Sequence, residues 1–124
     1  MTRATILLCV LAASCGGTTS TPTTPGSPAN PYTFTLTSTG VTPKELTVPA
    51  GTQVSFLNND SRRHDMASDP HPEHDLCPEI NGGALSPGQS RPTLNLVVTR
   101  TCGFHDHDNP PPAGNIWTGR IVIR

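Results

Sequence analysis

The 124-residue sequence is poor in the side chains that build helices and large cores. Only 33% of its residues are hydrophobic and 4% are aromatic, whereas 11 residues are glycine and 14 are proline. This composition favours turns and short strands over long helices. The chain is also too short for two domains once its ends are set aside, so we expect a single all-β domain.

The sequence has no surplus of basic charge. It carries 8 lysines and arginines against 9 aspartates and glutamates, which gives a formal net charge of −1. Nucleic-acid binding depends on neutralising phosphates with a basic surface, and this chain offers no obvious source of one. We therefore expect no nucleic-acid partner.

The N-terminal segment resembles an export signal. Arg3 supplies a positive start, and residues 6–13 form an apolar run too short to span a bilayer. The run leads into Leu-Ala-Ala-Ser-Cys-Gly at residues 11–16, which resembles the lipobox of bacterial lipoproteins. We expect residues 1–14 to be a lipoprotein signal peptide and Cys15 to carry a lipid that anchors the protein to a membrane, with unlipidated secretion as the alternative. Both place the protein outside the cytoplasm, facing the periplasm or on the cell surface.

Residues 15–31 are expected to be a tether, because they are rich in Thr, Pro, Ser and Gly and contain no charged residue. Residues 32–124 form the expected domain. Its strand patterns are Tyr32–Thr37, Glu45–Val48, Gln53–Leu57, Leu94–Arg100 and Gly119–Ile123, whereas Arg62–Gly83 shows no period and predicts a functional or solvated loop. Short strands separated by turn residues predict a Greek-key β-sandwich.

Motifs in the expected domain occur in the order typical of one family. Residues 43–60, Pro-Lys-Glu-Leu-Thr-Val-Pro-Ala-Gly-Thr-Gln-Val-Ser-Phe-Leu-Asn-Asn-Asp, are followed by His64, and Leu-Ser-Pro-Gly-Gln follows at residues 85–89. Cys-Gly-Phe-His at residues 102–105 then precedes Gly-Arg-Ile-Val-Ile at residues 119–123. Together these resemble the cupredoxins of the plastocyanin or azurin type, which implies a cupredoxin-like fold and a bound copper ion.

The resemblance implies that His64, Cys102 and His105 are copper ligands. One thiolate and two imidazoles are the ligand set of a blue copper site, although the backbone would have to turn after Cys102 to bring His105 to the same ion. Trp117 stands where the family has an axial methionine, so His107 is the candidate fourth ligand. The resemblance implies a one-electron carrier with an unidentified redox partner protein, and we expect no enzymatic activity.

Two alternatives remain open for the cysteines and histidines. A disulfide between Cys77 and Cys102 would leave His64, His105 and His107 as an all-nitrogen copper site suited to copper handling. His71 and His74, which lie in the acidic 62–83 stretch, predict either a solvated loop or a second, weaker metal site.

A third hypothesis is an enzyme. Gly-Phe-His-Asp-His at residues 103–107 resembles the copper-binding motif of copper-zinc superoxide dismutases. In that family further ligand histidines follow the motif, whereas here every other histidine precedes it.

Overall fold

The computed structural model describes residues 29–124, which form a sandwich of two β-sheets. The strands in this range are β1 (Thr33–Thr37), β2 (Gly40–Thr42), β3 (Glu45–Val48), β4 (Ser55–Asn58), β5 (His64–Ser68), β6 (Ala84–Leu85), β7 (Ser90–Pro92), β8 (Thr101–Asp106) and β9 (Gly119–Ile123). Two 3₁₀ helices, Pro78–Ile80 and Asn115–Trp117, complete the regular structure of this range. The expected all-β sandwich is confirmed. The expected signal peptide, with Cys15, lies outside the described residues.

Each sheet combines strands from distant parts of the chain. One sheet has the order β2-β1-β4-β7 and the other the order β3-β9-β8-β5-β6. β1 pairs in parallel with β4, and β3 pairs in parallel with β9, whereas the other pairs between strands are antiparallel. Because β8 lies between β9 and β5, the side chains of β8 on the outer face of this sheet are flanked on both sides.

The core between the sheets is built from alternating strand residues. Phe34 and Leu36 on β1 are fully buried, as the alternation in the sequence predicts. Phe34 meets Phe104 of β8 edge to face, with ring centroids 4.8 Å apart, and Phe56 of β4 meets Phe104 at 5.0 Å. These three rings fix β8 against the opposite sheet.

Several of the predicted strands occur, and one does not. The strands Glu45–Val48 and Gly119–Ile123 occur as predicted. Leu94–Arg100 is not a strand: Leu96 is buried, but Leu94 and Val97 are 69% and 61% exposed, so no alternating face exists to pair.

The stretch 62–83 is only partly a loop. It contains β5, which pairs with β8, and the segment that follows brings His71 and His74 beside His105 and His107 before Cys77 enters the core. Cys77 in that segment is bonded to Cys102 on β8, and both cysteines are fully buried. The disulfide therefore attaches the segment to the sheet. Within residues 29–124, no helix has the length and apolar character needed to cross a membrane.

Candidate metal centre

The thiolate ligand expected at Cys102 is not available in this structure, because Sγ is bonded to Cys77. The predicted turn after Cys102 does not form either: β8 continues without interruption to Asp106. Cys102 lies four residues before Asp106, about 13 Å along an extended strand. Since Asp106 is the β8 residue that contacts His64, Cys102 and His64 lie at opposite ends of β8.

His64 does not join the other histidines, and two carboxylates occupy both nitrogens of its ring. Nδ1 lies 2.9 Å from Oδ2 of Asp106, and Nε2 lies 3.1 Å from Oδ2 of Asp60. His64 and Asp106 are fully buried, and Asp60 is 6% exposed. Each nitrogen of the His64 imidazole is thus within hydrogen-bond distance of a carboxylate oxygen, and neither belongs to the group of converging histidine nitrogens. The structure therefore places His64 apart from the other histidines, and its role as a copper ligand stays a prediction.

Asp106 is held in its ionised form by several donors. Burial alone raises the pKa of Asp106, but the backbone N–H of Asp65, the amide of Asn109 and the ring of His64 more than offset this, so its pKa is lowered. Trp117, which stands at the family's axial position, packs against the His64 ring with centroids 5.3 Å apart. The fold therefore surrounds His64 with carboxylates and an indole.

Four other histidines converge on the outer face of the sheet. One nitrogen of each of His71, His74, His105 and His107 lies within 4.8 Å of the corresponding nitrogens of the others. His105 and His107 come from the end of β8 and the residue after it, where strand alternation directs both away from the core. His71 and His74 come from the segment that follows β5. The structure thus unites the expected pair of strand histidines with the pair expected to form a loop or a weaker site.

The nitrogens of three rings in this cluster lie close together. Nε2 of His74 is 3.3 Å from Nδ1 of His71 and 3.2 Å from Nδ1 of His107. Two imidazole nitrogens bound to one ion at about 2.0–2.1 Å can lie at most about 4.2 Å apart, so both spacings fit a shared ion. Nε2 of His74 can carry only one N–H, so it cannot donate equally good hydrogen bonds to both neighbouring rings. A cation, in contrast, can bind the lone pairs of all three rings at once.

The fourth histidine, His105, is the buried member of the cluster. Its Nδ1 lies 2.6 Å from Oδ1 of Asp69, and its side chain is 1% exposed. Its Nε2 is buried and has no hydrogen-bond partner among residues 29–124. A buried polar atom without a partner is costly, and a bound cation would satisfy it.

The environment of His74 favours the neutral form of its imidazole. Burial and the neighbouring rings of His105, His107 and His71 lower the pKa of His74, which favours the form that carries a lone pair. Its backbone has a φ of 55°, in the left-handed region that side chains other than glycine seldom adopt. Such strained positions concentrate at functional sites.

The sequence analysis groups His105 and His107 with His64 and gives His71 and His74 as a solvated loop or a separate second site. The structure instead brings His71 and His74 together with His105 and His107. Which histidines meet is decided by the path of the segment after β5, whose end the Cys77 disulfide attaches to β8.

Comparisons with known proteins identify the fold. No family model and no curated protein matches the chain. Among solved structures, a purple cupredoxin from Nitrosopumilus maritimus is similar with a TM-score of 0.57 and 16% identity, over 74% of this chain and 98% of that one. An amicyanin mutant in its Cu(I) form and another in its reduced state are both similar with a TM-score of 0.54 and 16% identity, over 74% of this chain and 80% of theirs. The chain thus has the cupredoxin fold, as the sequence motifs predict.

Proposed function

We propose that this protein binds a copper ion through the imidazoles of His71, His74, His105 and His107. The observation that carries this is the convergence of the four rings, with ligand atoms within 4.8 Å of one another. Imidazole suits copper, zinc and nickel, and a given site usually binds Cu²⁺ most strongly of the divalent first-row metals. The similarity to cupredoxin structures, including a Cu(I) form, further supports copper.

The role that this site supports best is copper handling rather than blue-copper electron transfer. Its ligand set contains no thiolate, because the sulfur of Cys102 is bonded to that of Cys77. His71 and His107 are exposed while His105 is buried, so an ion would be held on an open face of the sheet. A metal held at an open face can be exchanged with a partner without unfolding the domain.

The experiment is a titration of the metal-free full chain with Cu²⁺ by calorimetry and electron paramagnetic resonance. We expect one equivalent to bind, with nitrogen couplings in the spectrum and without the intense visible absorption of a copper thiolate. Alanine at each of the four cluster histidines should weaken binding at least tenfold, since each supplies a ligand. Glu73→Gln is the matched control, because Glu73 is exposed on the same segment and lies outside the cluster.

Three results would contradict the proposal. Unchanged affinity in the alanine variants of His74 and His105 would place the copper elsewhere. Zinc binding that copper fails to displace would show that the cluster serves a different metal. An intense visible band in the oxidised protein would instead restore Cys102 as a thiolate ligand.

A second candidate function is one-electron transfer to a redox partner protein. It is supported by the fold alone, since the similar amicyanin structures are described in Cu(I) and reduced states. A reversible copper couple in voltammetry, with the same ligands in both oxidation states, would favour this function over copper handling. Superoxide consumption by the copper-loaded protein would test the dismutase-like hypothesis based on residues 103–107.

Export and lipid anchoring through Cys15 belong to the same proposal. The N-terminal sequence supports them, and so does the Cys77–Cys102 disulfide, because disulfides persist in oxidising compartments such as the periplasm and the cell surface. A copper-handling protein in this location would receive or deliver its ion outside the cytoplasm.

A further inference from the structure

We infer that Asp69 is a positioning residue for the four-histidine site, acting through His105; this role rests on the proposed function. Asp69 is not a member of the histidine cluster. Its Oδ1 lies 2.6 Å from Nδ1 of His105, on the far side of that ring from the unpartnered Nε2. A carboxylate bound to one ring nitrogen fixes the tautomer, so that the other nitrogen presents its lone pair.

The backbone of Asp69 is itself fixed against the sheet. Its N–H donates to the carbonyl oxygen of Gly103 at 3.0 Å, and its own carbonyl oxygen accepts from the N–H of Leu76 at 3.0 Å. The hydroxyl of Ser68 donates to the same carbonyl oxygen at 2.9 Å. The carboxylate is thus carried by an anchored residue, although its side chain remains 45% exposed. A carboxylate with this exposure could face solvent instead. That it contacts His105 indicates that the anchored backbone directs the side chain toward the ring.

Gly103 makes room for this contact. A Cβ built on Gly103 would overlap Oδ2 of Asp69 and lie 3.1 Å from its Cγ. Gly103 sits in the middle of β8, where a larger residue would ordinarily be favoured. The absence of a side chain at this position allows the carboxylate to lie flat against the strand and reach the ring two residues further on.

The consequence for metal binding follows from the burial of His105. Its ring is the one member of the cluster that the surrounding structure buries, so it cannot easily reorient to find an ion. Free histidine prefers the tautomer with the proton on Nε2, which would block that nitrogen. Asp69 reverses this preference by accepting the proton of Nδ1. It thereby prepares His105 for the metal before the metal arrives.

The test uses the full chain with the variants Asp69→Ala, Asp69→Asn and Gly103→Ala. In the metal-free protein at pH 8, two-bond ¹H–¹⁵N spectra of labelled histidine should show the Nδ1–H tautomer for His105. Asp69→Ala should shift His105 toward the Nε2–H tautomer and weaken Cu²⁺ binding about 10–100-fold, measured by competition with a chelator. Asp69→Asn retains an oxygen that accepts from Nδ1 and should recover most of the affinity, whereas Gly103→Ala should behave like Asp69→Ala.

The outcomes separate this inference from the proposed function. If the wild-type chain binds no metal, the proposed function fails, and the tautomer of His105 still tests the role of Asp69 on its own. If Asp69→Ala leaves the tautomer and the affinity unchanged, the positioning role is overturned while the metal site stands. Should Asp69→Ala fail to fold, the Asp69→Asn spectrum decides, because a Nε2–H tautomer there would also contradict the inference. Glu73→Gln, which changes an exposed carboxylate that is not a hydrogen-bond partner of His105, should alter neither measurement.

Discussion

Replacing His64 by alanine should destabilise the domain and leave copper binding intact. The sequence motifs predict the opposite, because they place His64 among the copper ligands. In the structure its nitrogens contact Asp106 at 2.9 Å and Asp60 at 3.1 Å, and the ring is fully buried. His64→Ala therefore leaves buried carboxylates without their partner.

The expected cost comes mainly from Asp106, which is fully buried. Removing the hydrogen-bonding partner of a buried carboxylate typically costs about 3–5 kcal/mol, because the carboxylate charge that remains is uncompensated. Asp106 keeps its bonds to the backbone of Asp65 and the amide of Asn109, so we expect the lower part of that range. Small domains have a total stability of about 5–15 kcal/mol, so the variant should remain folded at low temperature.

The assay pairs urea unfolding of the metal-free protein with copper titration, and His71→Ala is the matched control. His64→Ala should lower the free energy of unfolding while retaining one equivalent of copper. His71→Ala removes an exposed imidazole of the cluster and should do the reverse. Loss of stoichiometric copper in His64→Ala, with the free energy of unfolding unchanged, would refute the reasoning and return His64 to the metal site.

Three further predictions concern the disulfide, the pH dependence and the N-terminus. Replacing both Cys77 and Cys102 by serine should lower the free energy of unfolding by about 3.5 kcal/mol in urea, from loop-closure entropy at a sequence separation of 25; a loss below about 1 kcal/mol would contradict this. The pKa of Asp60 is lowered because hydrogen bonds from His64 and the backbone outweigh the effect of burial, so its stabilising contribution is present above the ordinary value of 3.8 and lost as the pH falls below it. Asp60→Asn should therefore flatten the fall in unfolding free energy below pH 3.8, and an equally steep fall would contradict the assignment. Cys15→Ser should move the protein from the membrane to the soluble fraction, and unchanged membrane association would rule out the lipid anchor.

Much of the fold could be predicted because its signals are local. The alternation of Phe34 and Leu36, the turn residues after Val48 and the apolar alternation of Gly119–Ile123 each specify a strand from a few neighbouring residues. Leu94–Arg100 shows the limit of such signals. Its apolar residues satisfy the composition of a strand, but no neighbouring strand is available to pair with most of it, and pairing is a property of the whole sheet.

The site could be predicted only in part because the residues of the motif lie on both faces of β8, with Cys102 toward the core and His105 toward the other histidines. Asp106 points into the sandwich and meets His64, whereas His105 and His107 on either side of it point outward. A shift of one residue along a strand reverses the face, and a sequence motif does not show what covers either face. The Cys-x-x-His spacing from Cys102 to His105 predicts two ligands of one ion. In the structure β8 stays extended, so the two side chains lie on opposite faces and apart.

The arrangement has a physical logic that connects the two faces. On the inner face, the ring nitrogens of His64 already have the carboxylates of Asp60 and Asp106 as partners, and Arg62 contacts Asp60 as well. On the outer face, the buried Nε2 of His105 lacks such a partner, while the Cys77–Cys102 bridge, buried in the core on the inner side of β8, attaches the end of the segment that carries His71 and His74. We therefore expect a metal ion to bind on the outer face, where the buried Nε2 of His105 lacks a hydrogen-bond partner. Because the disulfide precedes His105 by three residues on β8 and follows His74 by three residues on the segment, it restrains both sides of the cluster and should lower the entropy lost when an ion binds.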